Sequence, residues 1–139
     1  MAAPFFNDAE GLRPIAYDSW WKDVAGGARL DILALQDGIG VGHAKLNDVG
    51  EWFRGMSEEL ANTGCVLWSD LETFATASNG TDGAASVSRV AKQVAAEGVY
   101  VERLTTFAFT HYDSPQQRRD AEFAEWKGMA RRRGCPATQ

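Results

Sequence analysis

The run Leu30-Asp31-Ile32-Leu33-Ala34-Leu35-Gln36-Asp37 decides how this chain folds. Its apolar stretch at 32–35 is unbroken, and a polar pair closes it. A strand with one wet face alternates apolar and polar residues. Continuous apolar character in so short a run marks a strand covered on both faces, as in a parallel sheet. Working outward, the same order of strand, turn and helix repeats. Downstream, Val49, Trp52, Phe53, Met56 and Leu60 fall at helical spacing and make one stripe. Asn47 or Asp48 can cap that helix and Gly64 can end it. A strand is predicted over 65–71, then a polar, glycine-bearing loop over 75–85, too poor in apolar residues to pack. Ser86 caps a helix with Val87, Val90, Ala91 and Val94 on one side, closed by Gly98. A further strand is predicted over 104–110. Ser114-Pro115 ends it and opens a last helix with Phe123, Trp126 and Ala130 on one side. Upstream, a short strand over 3–6 precedes a helix that starts near Pro14, runs to about Ala25 and is stopped by Gly26-Gly27.

The expected fold class is therefore α/β, four βα units with parallel strands. Right-handed crossovers leave an open doubly wound sheet or a piece of a barrel. A complete TIM (β/α)8 barrel takes ~250 residues, so 139 residues make about half of one. The expected organisation is one half-barrel domain over 1–134 with a loose tail over 135–139. A hydrophobic content of 45% with 24% charged residues excludes a disordered chain. The net charge of −5 speaks against nucleic acid as a partner. No apolar run approaches the ~20 residues of a membrane span, and Met1-Ala2-Ala3-Pro4-Phe5-Phe6 lacks the basic start of a secretory signal. A cytoplasmic location is the default expectation. Cys65 and Cys135 match no zinc or redox spacing, and no cofactor is expected.

In both architectures ligands bind at the carboxyl ends of the strands. Those ends carry Asn7, Gln36-Asp37, Asp70 with Glu72, and His111-Tyr112. Each residue type is also an ordinary turn former; four such ends together would converge on one mouth. Period-two alternation sends Leu67, Ser69 and Leu71 toward the helices, and Trp68, Asp70 and Glu72 toward the mouth. By the same rule Ala34 and Gln36 face inward, whereas Asp37 can turn either way. The direction of Phe107 and Phe109 is left open. The loop at 38–43 follows a strand and precedes a helix, but the third glycine of a dinucleotide fingerprint falls on His43. Asp37, His43, Asp70 and His111 are suitable metal ligands, yet no close helical pair supports a metal site, and none is expected. Arg118-Arg119 and the arginines at 131–133 read as solvated surface.

The stretch from Asp31 through Gln36-Asp37-Gly38-Ile39-Gly40-Val41-Gly42-His43 resembles a bacterial family of glycoside-hydrolase-like TIM barrels classed as a domain of unknown function. Three further blocks are similar to that family in the same order: Pro4-Phe5-Phe6-Asn7, Leu67-Trp68-Ser69-Asp70-Leu71-Glu72-Thr73-Phe74, and residues 107–115 with His111 and Tyr112. The resemblance implies the C-terminal half of a barrel and a carbohydrate-directed site. It places Glu72 at a nucleophile-like position; the matching acid would lie in the half of the barrel absent here, unless Asp37 takes that part. Glycoside hydrolysis needs two such groups, ~5–5.5 Å apart for retention or ~6.5–9.5 Å for inversion. Trp68 and Tyr112 then offer ring faces to a sugar, while Asn7, Gln36, His43, Asp70 and His111 offer hydrogen bonds. The other reading is a non-catalytic binding or structural module, or an inactive truncated product. A half-barrel has two free strand edges, so a homodimer or a partner chain completing the barrel is expected.

Overall fold

The structure is a computed structural model and describes residues 1–11, 16–77, 80, 82–107, 109–113, 124–125 and 127–128. Three parallel strands form its sheet in the order β1 (Ile32–Gln36), β2 (Val66–Leu71) and β5 (Arg103–Thr106). The N-terminal segment lies along the free edge of β1 through parallel bridges at Ala2 and Phe5. It accepts a hydrogen bond from Gln36 on the Pro4 carbonyl, but Pro4 has no N–H to return, which interrupts the ladder. The expected strand over 3–6 is therefore a bridged segment, and the four regular βα units reduce to a three-stranded sheet with this addition.

Three helices connect the strands: α1 (Ala16–Ala28), α2 (Leu46–Leu60) and α3 (Val87–Glu97). On α2 the apolar stripe Val49, Trp52, Phe53, Met56 and Leu60 is buried as its spacing requires. Burying each such side chain contributes ~1.5–3 kcal/mol before the ordering cost. The stripe meets Phe6, Leu33, Leu35 and Leu67 in the main core. Val90 and Val94 of α3 pack with Leu71 and Leu104 in a second cluster. Leu67 and Leu71 share one face of β2, so α2 and α3 cover the same side of the sheet. Helices on one side are what a barrel wall shows; a doubly wound sheet distributes them over both.

Several boundaries differ from expectation. Helix α1 runs through Gly26-Gly27 and ends at Ala28, just before Arg29, a left-handed residue with φ 51°. Neither Asn47 nor Asp48 is the cap of α2; Lys45 occupies that position without a side-chain cap, which leaves Asp48 inside the first turn, where the helix dipole favours a negative charge. Ser86 does cap α3, accepting the Arg89 N–H at 3.3 Å. The segment read as a loop contains an antiparallel hairpin, β3 (Phe74–Thr76) with β4 (Asp82–Ala84), tied by the Thr76 hydroxyl to Asp82 at 2.6 Å. The strand expected over 104–110 stops at Thr106, level with the end of its neighbour β2. Phe109–Tyr112 instead forms a helical turn, α4. Phe123, Trp126, Ala130, the arginines at 118–119 and 131–133, Ser114-Pro115, Pro14, Cys135 and the tail lie outside the described residues. Cys65 is a free, buried thiol. No described helix is long and apolar enough to cross a membrane.

Candidate functional site

The sheet register sets the site. Gln36 stands beside Asp70, and Asp70 beside Thr105, in one row across three strands. One step back, Ala34, Trp68 and Arg103 make the next row. Ser69, between them on β2, points the other way and donates to Glu97 of α3 at 2.6 Å. Both rows therefore lie on the face turned away from the helices, at the carboxyl half of the sheet. Thr105 donates its hydroxyl to Asp70 at 3.1 Å, and the Arg103 guanidinium lies 5.8 Å from the Trp68 ring centre. Burial lifts the Asp70 carboxyl above the ordinary aspartate range, against the opposing Thr105 bond. Asp70 nevertheless keeps part of its surface open.

Asp37 and Glu72 sit elsewhere, and both serve the loop at 38–43. Asp37 has 0% exposure. It turns to the helix side, where it accepts the Ile39 N–H at 3.1 Å and a bond from the Gln93 amide of α3. Burial pushes its carboxyl up to about 6, and Glu97 beside it is held well above the usual carboxylate range by burial and by Asp37. Burial and the neighbouring negative charge both disfavour ionising the two carboxyls together. Glu72 is 3% exposed, and its carboxylate accepts the Val41 N–H at 3.0 Å and the Gly40 N–H. Burial raises Glu72 too, opposed by those amides and by the nearby His43 and Arg89 charges. Gly40 makes the contact possible, because a Cβ there would come within 2.8 Å of the Phe74 carbonyl and 2.9 Å of Glu72 Cβ. Gly38 is equally constrained, at φ +70° with the Phe6 carbonyl 2.5 Å from any Cβ.

The other expected site residues spread along the same end. Asn7 is buried with its side-chain Oδ1 unpaired among the described residues, and the Asp8 N–H donates to the His43 carbonyl at 2.9 Å. His43 sits 6.2 Å from the Phe5 ring, and its Nδ1 is buried without a partner among the described residues. Tyr112 stacks on Phe74 at 4.9 Å, Phe107 lies 5.8 Å from the same ring, and His111 is exposed on α4. Gln36, Trp68 and Asp70 are thus brought together; Asp37 is turned away from them. Gln93, Glu97 and Thr105 are contributors that the sequence reading missed. Gln93 and Glu97 fall four residues apart on α3, a polar interruption beside its valine stripe that was a usable signal. Among the described residues no group of three or more His, Cys, Asp or Glu is arranged to hold a metal ion.

Three parallel strands with helices packed on one side and polar groups at their carboxyl ends make an α/β protein that fits a TIM-barrel-like fold. More particularly, residues 1–119 match the family described as "Domain of unknown function (DUF4434)", and the chain belongs to that family. Among solved structures, it is similar to one described as "a putative alpha-L-fucosidase from Bacteroides thetaiotaomicron VPI-5482", at a TM-score of 0.69 and 18% identity. The likeness covers 94% of this chain and 41% of that one, so the chain spans about two fifths of its structural relative. At that identity the likeness shows the fold. No curated protein matches the sequence.

Proposed function

We propose that this chain is a glycoside-hydrolase-like domain whose carbohydrate-directed site lies at the carboxyl ends of its parallel strands. The observation that carries the reading is the row Gln36, Asp70 and Thr105 beside Trp68, a set of hydrogen-bonding groups flanked by a ring face. Sugars are bound through that combination, hydroxyls on polar side chains and C–H faces on aromatic rings. The family and the fold shared with the protein described as "a putative alpha-L-fucosidase" support it. Asp70, partly open, is the carboxylate that meets the ligand. Glu72 approaches from beside the loop with its charge stabilised by two amides. Asp37 touches no ligand and positions the loop. Asn7, His43, His111 and Tyr112 extend the mouth.

A panel of aryl glycosides, 4-nitrophenyl α-L-fucoside among them, tests this reading. Turnover by the wild type, lowered at least ~100-fold in Asp70→Asn with the fold intact, is the expected result. Glu72→Gln is expected to follow if Glu72 acts on the substrate. No binding and no turnover on any sugar would refute the proposal. The internal engagement of Asp37 and Glu72 favours a second reading, a module that binds sugar without cleaving it; binding without turnover is its signature. The domain is also proposed to associate through its free edges, as a homodimer or with a partner chain that completes the barrel.

A further inference from the structure

Arg103 opens β5 and stands opposite Trp68 in the sheet register. Leu104, its neighbour, packs with α3 in the second core cluster, so alternation turns Arg103 and Thr105 to the open face. Other basic side chains are engaged elsewhere. Lys22 binds Glu59 at 2.8 Å, Arg54 binds Glu58 at 2.7 Å, and Arg89 donates to the carbonyls of Glu72 and Phe74. Arg103 is exposed and forms no ion pair among the described residues. Its contact is the Trp68 ring, 5.8 Å from the ring centre, near the ~6 Å outer limit of a cation–π interaction. A guanidinium carries a planar fork of N–H donors, and a ring gives that fork no oxygen acceptor. Arg103 lies two register positions before Thr105, the partner of Asp70, a step of ~6.6 Å along the strand. The open face thus pairs a hydrogen-bonding row with a cationic position one row deeper.

We propose that Arg103 selects acidic sugars, with the carboxylate of a hexuronate on its guanidinium while the ring's hydroxyls meet the row of Gln36, Asp70 and Thr105. The proposal rests on the carbohydrate reading above and names the substrate class. A neutral hexose carries a hydroxymethyl group where a hexuronate carries a carboxylate. That carboxylate is planar and matches the guanidinium fork through two parallel charge-assisted bonds, each roughly twice as strong as a neutral one. Its carbon is bonded directly to the ring, which suits so short a step between the two rows. The chain's net charge of −5 repels an anion as a whole, so the attraction has to be local. Asp70 opposes it little: burial raises that carboxyl, and the Thr105 hydroxyl occupies one of its oxygens.

Titration calorimetry with three matched oligosaccharides tests this: one ending in a hexuronate, its methyl ester, and its neutral hexose counterpart. Wild type is expected to bind the hexuronate at least ~10-fold tighter than either of the others, which corresponds to ~1.4 kcal/mol. Arg103→Gln should bring that ratio within about twofold, so that esterification and the substitution are not additive. Arg103→Lys, which keeps the charge without the fork, should retain part of the ratio. Equal wild-type binding of hexuronate and hexose overturns the proposal whether or not the variants fold, and leaves the mouth standing. An undiminished ratio in Arg103→Gln, with wild-type fold by circular dichroism, also overturns it. If light scattering then shows altered self-association in that variant, Arg103 belongs to the sheet edge. Tighter binding of a sulfated hexose than of the hexuronate overturns the carboxylate. Absence of wild-type binding to every glycan overturns both readings.

Discussion

Replacing Asp37 by asparagine probes the buried acid pair most directly. Burial pushes the Asp37 carboxyl from 3.8 up to about 6, so the folded protein holds this proton more tightly than the unfolded chain does. Between about pH 4 and about pH 6 the folded state therefore binds more protons, and stability falls as pH rises through that window. The contribution is complete below the unfolded value and gone above the folded one. Two units at about 1.36 kcal/mol each give about 3 kcal/mol, with no discount for screening because Asp37 has 0% exposure. Glu97, raised in the same direction by burial and by Asp37, adds to that decline. An asparagine cannot ionise. Its carbonyl can keep the Ile39 N–H, and its amide can face Gln93 once Gln93 turns over the carbonyl oxygen that now lacks a partner. Urea unfolding followed by tryptophan fluorescence, from about pH 4 to about pH 8, should show the stability gap between variant and wild type moving by about 3 kcal/mol in the variant's favour. Parallel curves, or a gap moving toward the wild type, would refute the buried-pair argument.

Three further outcomes are expected. Gly40→Ala forces a Cβ to 2.8 Å from the Phe74 carbonyl and 2.9 Å from Glu72 Cβ, so it should destabilise by ~1–3 kcal/mol, read as a fall of several degrees in Tm. Arg29→Gly relieves a left-handed residue at φ 51° after α1 and should raise stability by up to ~1 kcal/mol in the same melt. If the free edges of β5 and the N-terminal segment are paired between copies, light scattering at tens of micromolar should report a dimer; a stable, soluble monomer would remove the self-closing barrel.

How much of this was legible in the sequence follows from where periodicity has something to act on. The continuous run at 32–35 and the α2 stripe are set by burial on a regular backbone, and both occur as read. Alternation holds along β2, where Leu67, Ser69 and Leu71 are buried and Trp68 and Asp70 are half-open, but Glu72, one residue past the strand, is buried against the loop at 38–43. Periodicity has no grip on ends. Helix α1 continues through the exposed Gly26-Gly27 to Ala28 and stops where Arg29 turns left-handed at φ 51°. The hairpin at 74–84 escaped notice because its stability comes from contacts distant in sequence: Phe74 against Phe107 and Tyr112, and Arg89 donating to the carbonyls of Glu72 and Phe74. The direction of Asp37 was undecidable for the same reason, since Gln93, the group that draws it outward, lies on another βα unit.

The division of labour among the carboxylates has a consequence for chemistry. Asp37 and Glu72 each grip the loop at 38–43, one through the Ile39 amide and the other through those of Gly40 and Val41. Two buried acids spent on three consecutive N–H groups make a rigid loop, and they set His43 in place at the mouth. The open sheet face is then left with one carboxylate in its row, Asp70. A single open acid can orient a sugar, whereas glycoside hydrolysis sets a second across the ring at ~5–9.5 Å. If Glu72 does not release its amides to act in that role, the second acid must project from the facing wall of a closed barrel. On the proposed reading, turnover and assembly are therefore linked: conditions that keep the chain monomeric should abolish cleavage before they abolish sugar binding.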